Sequence, residues 1–274
     1  MRIRVSHQTV YDFAPPAKSL IQTLRLTPRN HDGQFVVHWR IDVDTDSRLK
    51  PGEDAFANII HGLSVSGPVE RMAVTVDGEV ETHDTAGVIR GTVERFPPSL
   101  FLRETAITLA DEALGDFAQA AVEAAGADTL ARLHALKTAL HEAMTLMPAT
   151  QGTAAANAVA AFAARKGMSQ DFAHAFIAGA RHVGIPARFI SGYRADPETA
   201  AGGTSHAWAE AHVEGLGWIA FDAAHDICPS VGHVRVALGL DADGAAPVRG
   251  TRFGGGQEWL DVTIRVMTQG QSQS

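Results

Sequence analysis

Up to about residue 104 the apolar residues alternate with polar ones in short runs. Phe35, Val37, Trp39, Ile41 and Val43 recur at period two, which predicts a strand with one buried face. Met72, Val74 and Val76 repeat the pattern ahead of Asp77-Gly78, a dipeptide that favours tight hairpin turns. Pro15-Pro16, Pro28, Pro51-Gly52 and Pro97-Pro98 punctuate the stretch and leave few helical windows. The pattern predicts an antiparallel β-sandwich over residues 1–100.

Beyond Glu104 the period changes to that of a helix. Leu130, Leu133, Lys137 and Leu140 fit one helical stripe that Leu136 widens, with Asp128 placed to cap it. Thr153 is a candidate cap for a further helix reaching Ala164. Phe172, Ala173, Phe176, Ile177 and Ala180 give a helix with one buried face, starting near Ser169 and stopping at Gly184 ahead of Pro186. Strands follow at Arg188–Tyr193 and Ser205–Val213. The second alternates strictly, with Ala207, Ala209, Ala211 and Val213 on one face and His206, Trp208, Glu210 and His212 on the other. Glu214-Gly215-Leu216-Gly217 reads as a turn and Trp218–Asp222 as the returning strand. Leu260, Val262, Ile264 and Val266 mark a last strand before a tail, Gln269–Ser274. The fold class is α+β, with residues 1–100 and 101–274 as the two regions.

Composition narrows the function. The 274 residues contain one cysteine, which excludes an internal disulfide framework and a Cys-rich metal cluster and makes a cytoplasmic setting the expectation. No apolar run has membrane-spanning length, and the alternating N-terminus does not resemble a secretory signal. The net charge of −8 and the lack of a basic tract argue against nucleic-acid binding. Composition points to a small-molecule or protein partner, with no membrane or nucleic acid; a homo-oligomer stays open.

The chemistry gathers between residues 169 and 222. A residue at a helix N-terminus sits among unpaired backbone N–H groups that favour developing negative charge. A nucleophile at Ser169, a base at His206 and an orienting carboxylate at Asp222 would form an acyl-transfer site. A four-residue turn would put Asp222 opposite Ala209 and not His206, so the hairpin needs a bulge, a twist or a longer reach. His206 and His212 share a face but lie about 20 Å apart along a strand. No two-histidine-plus-carboxylate spacing emerges, so neither a metal nor another cofactor is expected. His174 reads as a packing histidine and Cys228 as structural.

Gly167-Met168-Ser169-Gln170-Asp171-Phe172-Ala173-His174, Gly184-Ile185-Pro186-Ala187-Arg188, Ser205-His206-Ala207-Trp208 and Gly217-Trp218-Ile219-Ala220-Phe221-Asp222 resemble, in order, the motifs of the bacterial transglutaminase-like family. Leu24-Arg25-Leu26-Thr27-Pro28-Arg29 and Gly33-Gln34 are similar to its bacterial N-terminal β-domain. The tail is similar too, through Cys228-Pro229, His233-Val234-Arg235 and Pro247-Val248-Arg249-Gly250. The resemblance implies a papain-like core of helices on an antiparallel sheet. It implies amide acyl transfer through residue 169, His206 and Asp222, with Gln170, Asp171 and Trp208 supporting or lining the cleft. It also implies a link to peptide-ligase modules.

One departure matters. The family has cysteine where this chain has Ser169. A thiol becomes thiolate beside a histidine and a helix N-terminus, whereas a hydroxyl needs concerted proton removal. Three readings share the fold and the cleft: an engineered Cys→Ser inactivation, a serine enzyme acting on amides or esters, and a pseudoenzyme that binds a peptide or amide without turnover.

Overall fold

The computed structural model describes residues 1–148, 154–196 and 203–268. The proposed cap at Thr153 and the tail from Gln269 lie outside the described residues. In chain order the strands of the N-terminal region are β1 (Arg2–Thr27), β2 (Gln34–Val43), β3 (Ser47–Glu53), β4 (Ile59–Thr82) and β5 (Val88–Ile89). After a single 3-10 turn come helices α1 (Glu112–Ala124) and α2 (Thr129–Ala143), β6 (Thr145–Leu146), α3 (Ala158–Ala164), β7 (Lys166–Gly167) and α4 (Ser169–His182). The remaining strands are β8 (Ala187–Arg194), β9 (Thr204–Val213), β10 (Gly217–Phe221), β11 (His233–Gly239), β12 (Val248–Gly254) and β13 (Gln257–Thr268).

The architecture is α+β, an antiparallel sheet region followed by helices packed on a second antiparallel sheet. Two long strands, β1 and β4, form the spine of the first sheet, with β2 and β3 along the outer edge of β4. The prolines do not end β1. Its pairing with β4 skips between Asp12 and Ala17 and then resumes, because proline lacks the N–H a regular ladder needs. Asp77-Gly78 is not a turn; it lies inside β4, with Val5 opposite Gly78. Glycine is required there by Trp39, since a Cβ on Gly78 would fall 2.2 Å from the indole ring. In β2 a register shift between Val36 and His38 breaks the expected face. Trp39, Ile41 and Val43 pack on the core, while Phe35 and Val37 stay exposed. The C-terminal strands return to this first sheet, β12 and β13 pairing with successive halves of β1.

The second sheet runs β11-β8-β9-β10-β5, so the N-terminal region lends it an edge strand. Helix α4 lies against its inner face and is buried from Asp171 through Arg181. Ala207, Ala209 and Ala211 of β9 face the helices, and their small side chains let α4 approach closely. Helices α1 and α2 cover α4 with Leu114, Ala118, Leu133, Leu136 and Leu140. Asp111, Asp128 and Asn157 cap α1, α2 and α3, each accepting a backbone N–H of the first turn.

Candidate active site

The start of α4 is fixed by its own first turn. Asp171 is buried; its Oδ2 accepts the Met168 N–H at 2.8 Å and its Oδ1 the Ala155 N–H at 2.9 Å. Residue 167 must be glycine for this to happen, because a Cβ there would lie 2.6 Å from the Asp171 Cβ. Burial raises the Asp171 carboxyl's pKa, and the two backbone donors oppose that shift. Ser169 is the first helical residue, and its Oγ accepts the Ala207 N–H at 3.3 Å. The helix start therefore docks on β9 beside His206.

The hairpin that follows uses a three-residue loop, Glu214–Leu216, so Gly217 pairs with Val213 and Phe221 with Ala209. Asp222 comes level with Trp208, on the face that Trp208 shares with His206. A four-residue turn would have put Asp222 on the opposite face. Its carboxylate reaches His206 as a diagonal neighbour, and the His206 Nε2–H donates to Asp222 Oδ2 at 2.7 Å. Ser169 and His206 line one cavity of about 180 Å³, together with Gln170, Ser191, Ser205 and Pro247. Asp171 and Trp208 stand behind that wall. Trp208 packs with Phe101, Ile190 and Trp218, its ring 6.1 Å from that of His206. A larger cavity of about 420 Å³ lies beside Arg29, Asn58 and Arg235, away from Ser169 and His206.

Residues 115–223 match the Transglutaminase-like superfamily and residues 3–81 the bacterial transglutaminase-like N-terminal region. The chain is a transglutaminase-like superfamily member. Over 280 residues it is 28% identical to Uncharacterized protein ML0607 of Mycobacterium leprae, covering 97% of this chain and 98% of that protein. Uncharacterized protein Rv2569c of Mycobacterium tuberculosis is 25% identical over 291 residues, with 97% and 92% covered. Among solved structures, a "putative cysteine protease" from Cytophaga hutchinsonii superposes with a TM-score of 0.75 at 18% identity, covering 98% of this chain and 91% of that one. That likeness is one of fold.

The transglutaminase-like core surrounds Asp222 with more imidazole than the motifs suggest. Its Oδ2 also meets His225 Nδ1 at 3.1 Å and His233 Nε2 at 3.3 Å, while Oδ1 accepts the Ala224 N–H at 3.1 Å. Burial works against the charge. The hydrogen bonds and charge of His206, reinforced by His225 and His233, nonetheless hold the Asp222 carboxyl well below the usual carboxylate range. His225 lies outside the motifs and His233 lies in one that assigned it no role; the histidine-rich stretch after Asp222 was the available signal. Folding also gathers a two-histidine-plus-carboxylate set that the spacing did not show. The ligand atoms of His206, Asp222 and His225 lie within 4.8 Å of one another, a donor set suited to a transition metal. The same atoms are satisfied by hydrogen bonds to each other. His174 packs on Phe189 and accepts the Ala242 N–H through Nε2 at 3.1 Å, with burial pushing it down to about 4. Burial raises the Cys228 thiol, the reverse of what an activated nucleophile needs.

No helix among the described residues is long and apolar enough to cross a membrane.

Proposed function

We propose that the protein is an amidase or peptidase acting by acyl transfer through residue 169, His206 and Asp222. The observation that carries this reading is the buried 2.7 Å His206–Asp222 pair beside a cavity that Ser169, the first residue of α4, also lines. With Nε2 committed to Asp222, Nδ1 of His206 is the nitrogen that exchanges protons with the reacting groups. It takes the Ser169 hydroxyl proton as Oγ bonds to the amide carbonyl carbon. The oxyanion faces the N-terminus of α4, where the Ser169 N–H is a candidate donor. As the C–N bond breaks, the imidazolium returns its proton to the leaving amine. Water then attacks the ester by the reverse relay, releasing acid and Ser169. The 180 Å³ cavity suits a short peptide or small amide. We assign the protein to the cytoplasm on its single cysteine, which cell fractionation checks.

A fluorophosphonate probe tests the reading. It should modify Ser169 in the wild-type chain and not in His206→Ala. Labelling at background in both favours the non-catalytic binding reading over this one.

A further inference from the structure

The motifs Gly33-Gln34 and His233-Val234-Arg235 have no role in the reaction just described, yet the fold brings them together. Gln34 is buried and clamps β11: its Nε2 donates to the Arg235 carbonyl at 2.9 Å and its Oε1 accepts the Arg235 N–H at 2.8 Å. His233, two residues earlier on β11, reaches Asp222. Behind it lies a cavity of about 30 Å³ bordered by His31, Trp208 and His233. Three buried polar atoms of these side chains have no hydrogen-bond partner among the described residues: His31 Nε2, Trp208 Nε1 and His233 Nδ1. His233 and Trp208 are 7% and 2% exposed.

The roles of these atoms follow from what their other ends do. His31 Nδ1 accepts the Gly33 N–H at 3.2 Å, so Nε2 carries the proton of the neutral ring and is a donor. Trp208 Nε1–H can only donate. His233 uses Nε2–H on the Asp222 carboxylate, which leaves Nδ1 as an acceptor. Burial lowers the proton affinity of both rings, His31 to about 4, and keeps them neutral. The three unpartnered atoms thus present two donors and one acceptor to the cavity, whose wall also includes Arg235, Thr85 and Ser230. An anion would meet the lone pair of His233, and a cation would meet two N–H groups. Water accepts two hydrogen bonds and donates the third, and it needs only about 10–15 Å³ of such space.

We propose that His233 is a positioning residue for Asp222, and that one water held by His31, Trp208 and His233 locks the imidazole in the Nε2–H tautomer that supports the carboxylate. The inference rests on the reading that Asp222 orients His206. It extends the site from Asp222 through His233 to the N-terminal sheet region. His233 faces charged and titratable neighbours on each side: Asp222 at the end of β10, His206 of β9 with ring centroids 5.7 Å apart, and Arg194 of β8.

The test is nuclear magnetic resonance of the full chain with ¹⁵N-labelled histidine, paired with the labelling assay. His233 and His31 are expected as Nε2–H tautomers, with His233 Nδ1 shifted as a hydrogen-bond acceptor. An Nδ1–H tautomer at His233 overturns the proposal. In His233→Leu the imidazole N–H of His206 should lose its protection from exchange. Fluorophosphonate labelling of Ser169 should then fall about tenfold, the worth of one hydrogen bond to a charged group. His233→Gln, which keeps a donor at the Nε2 position, should restore both. A folded His233→Leu chain with His206 unchanged refutes the positioning role, as does failure of glutamine to rescue. A crystal structure showing the cavity dry or filled by an ion refutes the water. The tautomer and exchange readings need no turnover, so a wild-type chain that resists labelling counts against the proposed function alone.

Discussion

Replacing Glu210 by glutamine removes one negative charge from a buried ion network of the second sheet without changing the side chain's shape. Glu210 is fully buried on β9, on the same face as His206. It accepts Arg188 Nε at 2.7 Å, Arg235 Nε at 2.7 Å and Arg235 Nη2 at 3.1 Å. These contacts tie β8, β9 and β11 together. Arg188 in turn stacks 3.9 Å over Trp218 and holds Glu94 through both terminal nitrogens. Burial pushes the Glu210 carboxyl's pKa upward, but Arg235 and Arg188 outweigh it and bring it from 4.5 to about 2. At about 1.4 kcal/mol per pH unit that difference is worth about 3 kcal/mol. Breaking a buried ion network by removing one partner costs about 3–5 kcal/mol on mutational grounds, which agrees. Urea unfolding at pH 7 should therefore place Glu210→Gln about 3 kcal/mol below wild type. The sign with pH follows from the depressed value. The contribution is present above the unfolded pKa of about 4.5 and fades as pH falls towards 2, so the gap between the two proteins should narrow in acid. A deficit under about 1 kcal/mol, or one independent of pH, would refute the reasoning.

Asp171→Ala strips the acceptors from two part-buried backbone N–H groups, those of Met168 and Ala155, and should cost about 2 kcal/mol, read by thermal unfolding together with slower Ser169 labelling. Gln34→Ala orphans the Arg235 N–H; a loss of about 1–3 kcal/mol and faster amide exchange along β11 are expected. Gly78→Ala drives a methyl into the Trp39 ring, which is held by its Nε1–H on the Leu26 carbonyl. Denaturant unfolding should show a loss of about 1–3 kcal/mol.

The parts of the fold that were legible in the sequence are those where one residue's neighbours decide its conformation. The α4 pattern, the β8–β10 strands and the caps at Asp128 and Gly184 depend on local periodicity, and the helix ends within two residues of Gly184. Long-range packing decided the rest. Gly78 reads as a turn former until Trp39 of β2 comes to lie over it. The expected Phe35–Val43 face is broken by a bulge set by pairing with β4. At the site, Ser169, His206 and Asp222 were readable as an ordered set, but the hairpin loop is one residue shorter than expected, and that residue decides which face Asp222 occupies. His225 belongs to no motif and the motif that holds His233 gave it no role; both matter because β11 and the loop after β10 fold onto one carboxylate oxygen.

The measurement that bears most directly on the central claim is alkylation of Ser169→Cys by iodoacetamide as a function of pH, in a Cys228→Ser background. A thiol at the start of α4 beside a histidine held by Asp222 should react as a thiolate well below pH 8.5, the ordinary thiol value. His206→Ala and Asp222→Asn should each return the profile to that of a free cysteine. If the introduced thiol titrates like a free cysteine and ignores both substitutions, that would contradict the assignment of residue 169, His206 and Asp222 as one catalytic unit.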